Sequence, residues 1–575
     1  MAFLRNLLAT IIGLFVFFFL LIILFIGIAA STETVPTVAQ STVLDLDLKG
    51  VILEHTIADP FQDLFSDGPA PTSLVDLLYS IEYAKYDERI KGIYLRSTFL
   101  QAGSSTLQEI RDALIDFKSS GKFVHGYIEY ASEGDFYLLS IADSLYLNPE
   151  GSLEFNGLTA GVTFYKGLFD KLDIEPEIFR VGQFKSFVEP FIRKDMSKEN
   201  EYQLTALISS IHKTYIDNIG AYDQIDPAEL KRVSDNMLVR KPSDAKKYNL
   251  ISEVGYEDEL IKVLKRSMGV GEDDKIKLTP YRSYIQAALA DKSYNSNKIA
   301  VIVADGDIVM GRSVDGVGSE QFAEEIRKAR EKKSVKAIVL RVNSPGGSLT
   351  ASDIIWREVM LTKGVKPIIA SMSDVAASGG YFISAPCDTI VAQPNTITGS
   401  IGIFGLMFNI GDFLENKLGI TSDRVSTGDF SDIATVSRSL SPQERAIIQA
   451  QVERGYDTFI SRVAEGRNMT TEEVLKVAGG RVWTGVQAKE RGLVDVLGSF
   501  EDAIEIAAEK AGVLDNYSVS YYPKEKQFID EILTKLNSAK LFSSVNPLDG
   551  YIKKLESLEK MRGIQARLPG DLIIQ

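Results

Sequence analysis

Histidine is nearly missing from this chain of 575 residues: there are three, His55, His125 and His212. None lies in a segment with other catalytic-looking residues, and a Ser-His-Asp arrangement needs an imidazole oriented by a third group. Any serine nucleophile here therefore needs a different base. Cysteine occurs once, at Cys387, which excludes an intramolecular disulfide and a multi-thiolate metal site. Between Pro386 and an apolar run, that residue reads as a small buried hydrophobe. The net charge is -15. That argues against non-specific nucleic-acid binding, because neutralising phosphates takes an excess of clustered cations. The glycines of Gly399-Ser-Ile-Gly-Ile-Phe-Gly405 lack the G-x-G-x-x-G spacing, which removes a dinucleotide site.

What is present is first of all length, more than one core usually fills, so two or more domains are expected. Residues 7–30 form an uncharged apolar run, enough for a helix across a hydrocarbon core that needs ~20 residues. Arg5 precedes the run and Glu33 follows it. A positive N-flank stays in the cytoplasm and puts the rest of the chain on the outer side of the membrane. A cleaved signal peptide ending near Ala29-Ala30 is the alternative, although its apolar region is normally only ~7–15 residues.

The chain also repeats itself. Lys91-Gly-Ile-Tyr-Leu-Arg96 falls on Lys336-Ala-Ile-Val-Leu-Arg341, and the same offset of 245 residues carries Gly134 onto Gly379, Asp143 onto Asp388 and Gly157 onto Gly402 without a gap. In both copies apolar β-rich runs alternate with helix-patterned segments. Such alternation implies parallel β-α units. The expected fold is α/β, a tandem duplication. Its parts are a cytoplasmic N-terminus (1–6), a transmembrane anchor (7–30), repeats over 43–268 and 298–513, linkers over 31–42 and 269–297, and a mainly helical tail over 514–575.

The copies differ where chemistry is expected. Glu133 occupies the position of Ser378, and Phe99 to Gly103 replaces Ser344-Pro-Gly-Gly-Ser348. Conversely, Ser431 stands where the first copy has Lys185. One copy keeps the serine and the other keeps the lysine. A serine at a helix start meets the positive end of the macrodipole, and backbone N–H groups of Gly379, Gly347 and Gly346 are candidates for stabilising an oxyanion. Lys185 is the candidate base. It must be neutral to act, and at its reference pKa of ~10.4 a lysine is only ~0.1% neutral near physiological pH. Burial against apolar neighbours such as Phe184, Phe187 and Val188 is the expected remedy.

Four stretches carry a resemblance: Val181-Gly-Gln-Phe-Lys-Ser-Phe-Val-Glu-Pro-Phe-Ile-Arg193, Leu340-Arg-Val-Asn-Ser-Pro-Gly-Gly-Ser348, Ser371-Met-Ser-Asp-Val-Ala-Ala-Ser-Gly-Gly-Tyr381 and Thr398-Gly-Ser-Ile-Gly-Ile-Phe-Gly405. Together they resemble the signal peptide peptidase A (protease IV) family in its long tandem form. That resemblance implies a Clp-protease/crotonase-like fold in each repeat and a serine endopeptidase. Its nucleophile maps to Ser378 and its general base to Lys185, and no metal or organic cofactor is implied. It also implies a homotetramer tethered to a bacterial inner membrane, with catalytic domains on the periplasmic side, cutting signal peptides and other membrane-derived peptides. Two alternatives stay open: a non-catalytic Clp-like membrane scaffold and a crotonase-like acyl-CoA enzyme.

Overall fold

The computed structural model describes residues 3, 5–14, 16–18, 36–55, 71–291, 295–313, 316–433, 435–522, 563–567 and 573–574. The expected anchor, 7–30, lies largely outside the described residues. Its described part, within 5–14 and 16–18, is helical, and among the described residues no helix is long and apolar enough to cross a membrane.

Each repeat builds a sheet from apolar, β-branched strands covered by helices, parallel throughout in the first and parallel in the second except where Val482–Thr484 joins Ile397–Gly399 antiparallel. In the first the order is Thr72–Ser73, Thr42–Leu53, Ile90–Gln101, Phe123–Ala131, Ser144–Leu153, Glu253–Val254. In the second it is Val482–Thr484, Ile397–Gly399, Ile368–Ala377, Val335–Ser344, Lys298–Asp305, Ser518–Tyr522. The gapless offset survives folding: Ile90–Gln101 and Val335–Ser344, Phe123–Ala131 and Ile368–Ala377, and the helices Leu74–Tyr86 and Ser319–Glu331 all start at positions the repeat makes equivalent. Long helices close both copies, Lys198–Asp223 and Pro442–Arg467. Ser197 and Ser441 cap them by accepting N–H bonds in the first turn, which satisfies donors that have no intrahelical partner.

A third sheet joins the repeats. Its order is Val317–Gly318, Ile308–Val309, Gly346–Ser348, Gly563–Arg567, Phe404–Asn409, Glu175–Arg180. The last strand comes from the first repeat and pairs antiparallel with Phe404–Asn409 of the second, Arg180 facing Phe404 and Phe179 facing Gly405. An ionic cluster fastens the repeats elsewhere. Arg341, on the second central strand, donates to Glu54 (2.7 Å) and Glu109 (2.9 Å) of the first repeat and to Ser371 and Ser373. Asp374 accepts from the Ser105 and Thr106 N–H groups (2.8 and 2.9 Å), which start the first-repeat helix Ser104–Lys118.

Two connecting segments carry secondary structure in their described parts. Within 269–297 a short strand, Leu278–Pro280, adds to Thr42–Leu53, and the helix Tyr281–Ala290 buries Tyr281 and Tyr284 in the first core. The tail over 514–575 is not mainly helical in its described part: Ser518–Tyr522, Gly563–Arg567 and Ile573–Ile574 are strands, each completed by pairing with a partner far away in sequence. Residues 523–562 lie outside the described residues.

Candidate active site

Ser378 ends the strand Ile368–Ala377 and precedes the helix Gly379–Ser384. The chain turns sharply there, with Ser378 at φ 54° and ψ -112°, a sparsely populated conformation that costs on the order of 1–3 kcal/mol. Two backbone bonds hold it. The Ser378 N–H donates to Gly399 O (2.8 Å), and Ser378 O accepts from the Phe382 N–H (2.8 Å). Such strain persists only where the surroundings over-determine it.

Lys185 reaches the same point from the other repeat. It lies five residues beyond the strand Glu175–Arg180, so the inter-repeat pairing delivers it to the second half. Val181 N–H continues the ladder to Ile403 O (3.1 Å), and Phe184 N–H donates to Gly479 O (3.0 Å). Gly480 is required by this crossing: its φ is +82°, and a side-chain carbon there would stand 2.7 Å from the Lys185 backbone nitrogen. Phe187 and Val188 pack into an apolar cluster with Phe169, Phe191, Phe404 and Leu406, whereas Phe184 is only half-buried.

The Lys185 Nζ lies 2.8 Å from Ser378 Oγ, 3.0 Å from Ser400 O and 3.1 Å from Ser400 Oγ. Lys185, Ser378 and Ser400 are all 0% exposed. Burial pushes the lysine pKa well below its usual range, and among the described residues no carboxylate offsets that effect. A buried ammonium without a counter-ion is costly, which favours the neutral form. A neutral amine there can donate to Ser400 O and Oγ and accept from the Ser378 hydroxyl, 2.8 Å away.

The glycine turn sits beside this pair. Gly346 (φ +102°) and Gly379 nearly touch, since a side-chain carbon on Gly346 would fall 2.6 Å from Gly379 N. Of the three N–H groups named as oxyanion candidates, that of Gly346 is already engaged by Ser344 Oγ (3.2 Å). Gly347 lies in the pairing between Ile308–Val309 and Gly563–Arg567. Gly379 follows Ser378 directly.

Peptidase family S49 matches the chain twice, over 116–271 and 361–514, and Clp protease matches 291–397. The chain belongs to peptidase family S49. It is 38% identical over 515 residues to Protease 4 of Salmonella typhi, covering 86% of this chain and 82% of that protein. It is 34% identical over 553 residues to the chloroplastic serine protease SPPA of Arabidopsis thaliana (94% and 79%), and 35% over 568 residues to Protease 4 of Haemophilus influenzae (94% and 91%). The protein is a serine-type peptidase with two Clp-like α/β repeats.

In this S49 peptidase the structure adds one participant that sequence inspection passed over. Ser400 holds the lysine through both its carbonyl and its hydroxyl. Its position inside Thr398-Gly-Ser-Ile-Gly was visible, but its contact with Nζ depends on a backbone at φ 49°, which no spacing rule announces. Among the described residues no cluster of His, Cys, Asp and Glu is arranged to hold a metal.

Proposed function

We propose that this S49 peptidase is a membrane-tethered endopeptidase that degrades cleaved signal peptides and other membrane-derived peptides through a Ser378–Lys185 dyad. The observation that carries the dyad is the 2.8 Å approach of a fully buried lysine, free of any carboxylate partner among the described residues, to a strained serine. Nucleophile and base within hydrogen-bond reach, with the base oriented by a third group, is the arrangement an activated hydroxyl requires. Here Ser400 is the orienting group.

In the reaction, neutral Lys185 takes the Ser378 hydroxyl proton as Oγ attacks the scissile carbonyl. The oxyanion forms beside the Gly379 and Gly347 N–H groups, a stabilisation worth about 3–4 kcal/mol per donor in hydrolases. The Lys185 ammonium then gives its proton to the departing amine and leaves an acyl-enzyme on Oγ. Water enters, Lys185 removes its proton, and attack on the ester releases the acid product.

The apolar run over 7–30 and its flanking charges support the tether and an outer placement of the catalytic repeats, which the resemblance to tandem family members makes the periplasmic side of a bacterial inner membrane. Association into a homotetramer accompanies that reading through the resemblance to tandem family members. A serine-reactive fluorophosphonate tests the central point. It should label the wild-type chain at Ser378 and leave Ser378→Ala and Lys185→Met unlabelled. Equal labelling of the lysine variant would remove Lys185 from the mechanism. Carbonate-resistant membrane association and native mass in detergent test the tether and the tetramer.

A further inference from the structure

Arg481 stands between the helix Thr471–Val477 and the strand Val482–Thr484, and the supports of both dyad side chains converge on it. Its carbonyl accepts the Ser400 N–H (2.8 Å), and Ser400 in turn holds the lysine amine. The two glycines before it carry the crossing chain: Gly479 O accepts the Phe184 N–H (3.0 Å), and Gly480 lies against the Lys185 backbone. The strand after it pairs antiparallel with Ile397–Gly399, Val482 facing Gly399. A side-chain carbon on Gly399 would stand 2.7 Å from the Trp483 indole, and Gly399 O accepts the Ser378 N–H (2.8 Å).

The Arg481 side chain joins the same parts by a second route. Its guanidinium carbon lies 4.0 Å from the ring centre of Trp483, 4.9 Å from that of Tyr202 and 5.2 Å from that of Phe184. Phe184 and Tyr202 belong to the first repeat and Trp483 to the second, so one cation bridges rings across the joint. A planar guanidinium suits such stacking. The indole is itself fixed, with Arg491 at 4.0 Å from its ring and its Nε1 donating to Val477 O (3.0 Å). Arg481 Nε is buried without a hydrogen-bond acceptor among the described residues, an unsatisfied group of the kind that calls for a reason. Phe184 immediately precedes Lys185 and is half-buried, while Tyr202 is exposed. The stack therefore lies at the boundary between the lysine loop and solvent.

We propose that Arg481 is a positioning residue of the dyad: its guanidinium holds Phe184 against the second repeat, which keeps the Lys185 amine on Ser378 and Ser400 and shut off from water. The inference rests on the dyad reading and adds to it a side chain that touches neither the peptide nor the reacting atoms. Its effect runs through the amine. The groups within reach of Nζ, which are Ser378 Oγ, Ser400 O and Ser400 Oγ, carry no charge, and burial alone holds the lysine below its ordinary range. A loosened loop that admits water favours the ammonium and moves the acid limb of the kcat/KM profile to higher pH.

Arg481→Met, which keeps the length and removes the planar cation, tests this on the full chain purified in detergent, with Arg481→Lys and Tyr202→Ala beside it. The readouts are the pH profile of kcat/KM on a signal-peptide reporter, the rate of fluorophosphonate labelling at Ser378 and the urea midpoint. Arg481→Met should move the acid limb up by about one pH unit, which is about a tenfold loss at fixed pH below the plateau. Labelling there should slow by the same factor, with KM unchanged. Arg481→Lys should recover part of the shift, and Tyr202→Ala should show a smaller shift in the same direction. A folded Arg481→Met that keeps the wild-type limb and labelling rate, whatever its urea midpoint, overturns the positioning role. A rise in KM with the limb unmoved also overturns it, because Arg481 would then act on the peptide. Should Arg481→Met fail to fold, Tyr202→Ala decides, and a wild-type limb in that variant overturns the proposal. A wild type that neither labels at Ser378 nor hydrolyses the reporter overturns the dyad reading and this one together, whereas unshifted variants of a labelled wild type leave the dyad standing.

Discussion

Glu133 and Ser378 are equivalent under the repeat and have opposite surroundings. The Glu133 carboxylate closes its own site: Oε2 accepts the Asn156 and Gly157 N–H groups (2.8 and 2.6 Å), and Oε1 lies 3.1 Å from His212 Nε2. At Ser378 a hydroxyl stands in place of the carboxylate, 2.8 Å from the buried amine of Lys185. The lysine positions differ as sharply. Lys185 is fully buried against the second repeat, whereas its counterpart Ser431 is exposed and donates to the nearby Gly428 O. A duplicated fold has thus kept the candidate site at one position and a carboxylate bonded to backbone at the other. The candidate site draws on both copies, because the lysine arrives along a strand that crosses from the first repeat.

The largest effect should separate these equivalent positions. Ser378→Ala and Lys185→Met should each lower kcat/KM on a signal-peptide reporter by more than about 10⁴-fold, as removal of members that act as a unit does in other serine hydrolases. Ser431→Ala should leave kcat/KM within about twofold. Comparable losses at Ser431 would break the asymmetry, because the exposed counterpart would then share in the chemistry.

The next effect lies in the joint between the repeats. Arg341→Met strands two fully buried carboxylates, Glu54 and Glu109, and breaking a buried ion network from one side costs about 3–5 kcal/mol. Urea denaturation should show a lower midpoint, and activity should fall in parallel because the Lys185 strand relies on the same docking. Adding Glu54→Gln and Glu109→Gln should recover part of the stability. A single variant with wild-type stability would mean that the cluster does not fasten the halves.

Much of this architecture was legible from residues. The alternation of β-rich runs with helix-patterned segments forms as expected, with Thr389–Ala392 a strand and Leu349–Thr362 a helix capped by Ser348. Apolar periodicity and capping residues are local signals, and they survive folding because parallel sheets bury the same faces the pattern marks. The exchange of serine and lysine between copies pointed to both candidate residues for the same reason. What remained hidden depends on tertiary crossing. Arg341 looks like its repeat partner Arg96, yet Arg341 is buried between the halves while Arg96 pairs with Asp45 on its own sheet. The tail strand Gly563–Arg567 carries no periodicity long enough to read, and its structure is induced by the two edges it joins.

The pH profile sharpens the comparison of buried and exposed positions. A base must be neutral, and burial holds Lys185 well below the ordinary lysine value of 10.5. kcat/KM should therefore rise with pH, reach its plateau below that value and fall about tenfold per pH unit on the acid side, each unit being about 1.4 kcal/mol of protonation. A rise centred near the ordinary lysine value would mean that the amine is hydrated in the working enzyme.

Ser400→Ala should give the smallest effect and the most specific one. It removes the hydroxyl 3.1 Å from Nζ and leaves the Ser400 carbonyl, at 3.0 Å, in place. One such bond is worth about 1 kcal/mol net, so kcat should fall about fivefold with KM nearly unchanged, since the hydroxyl touches the base and not the peptide. Ser400→Thr keeps the hydroxyl and should recover most of the rate if its methyl is accommodated at φ 49°. A kcat loss as large as that of Lys185→Met would make Ser400 a third member of the catalytic unit. No loss at all would leave its carbonyl as the whole of the lysine's support.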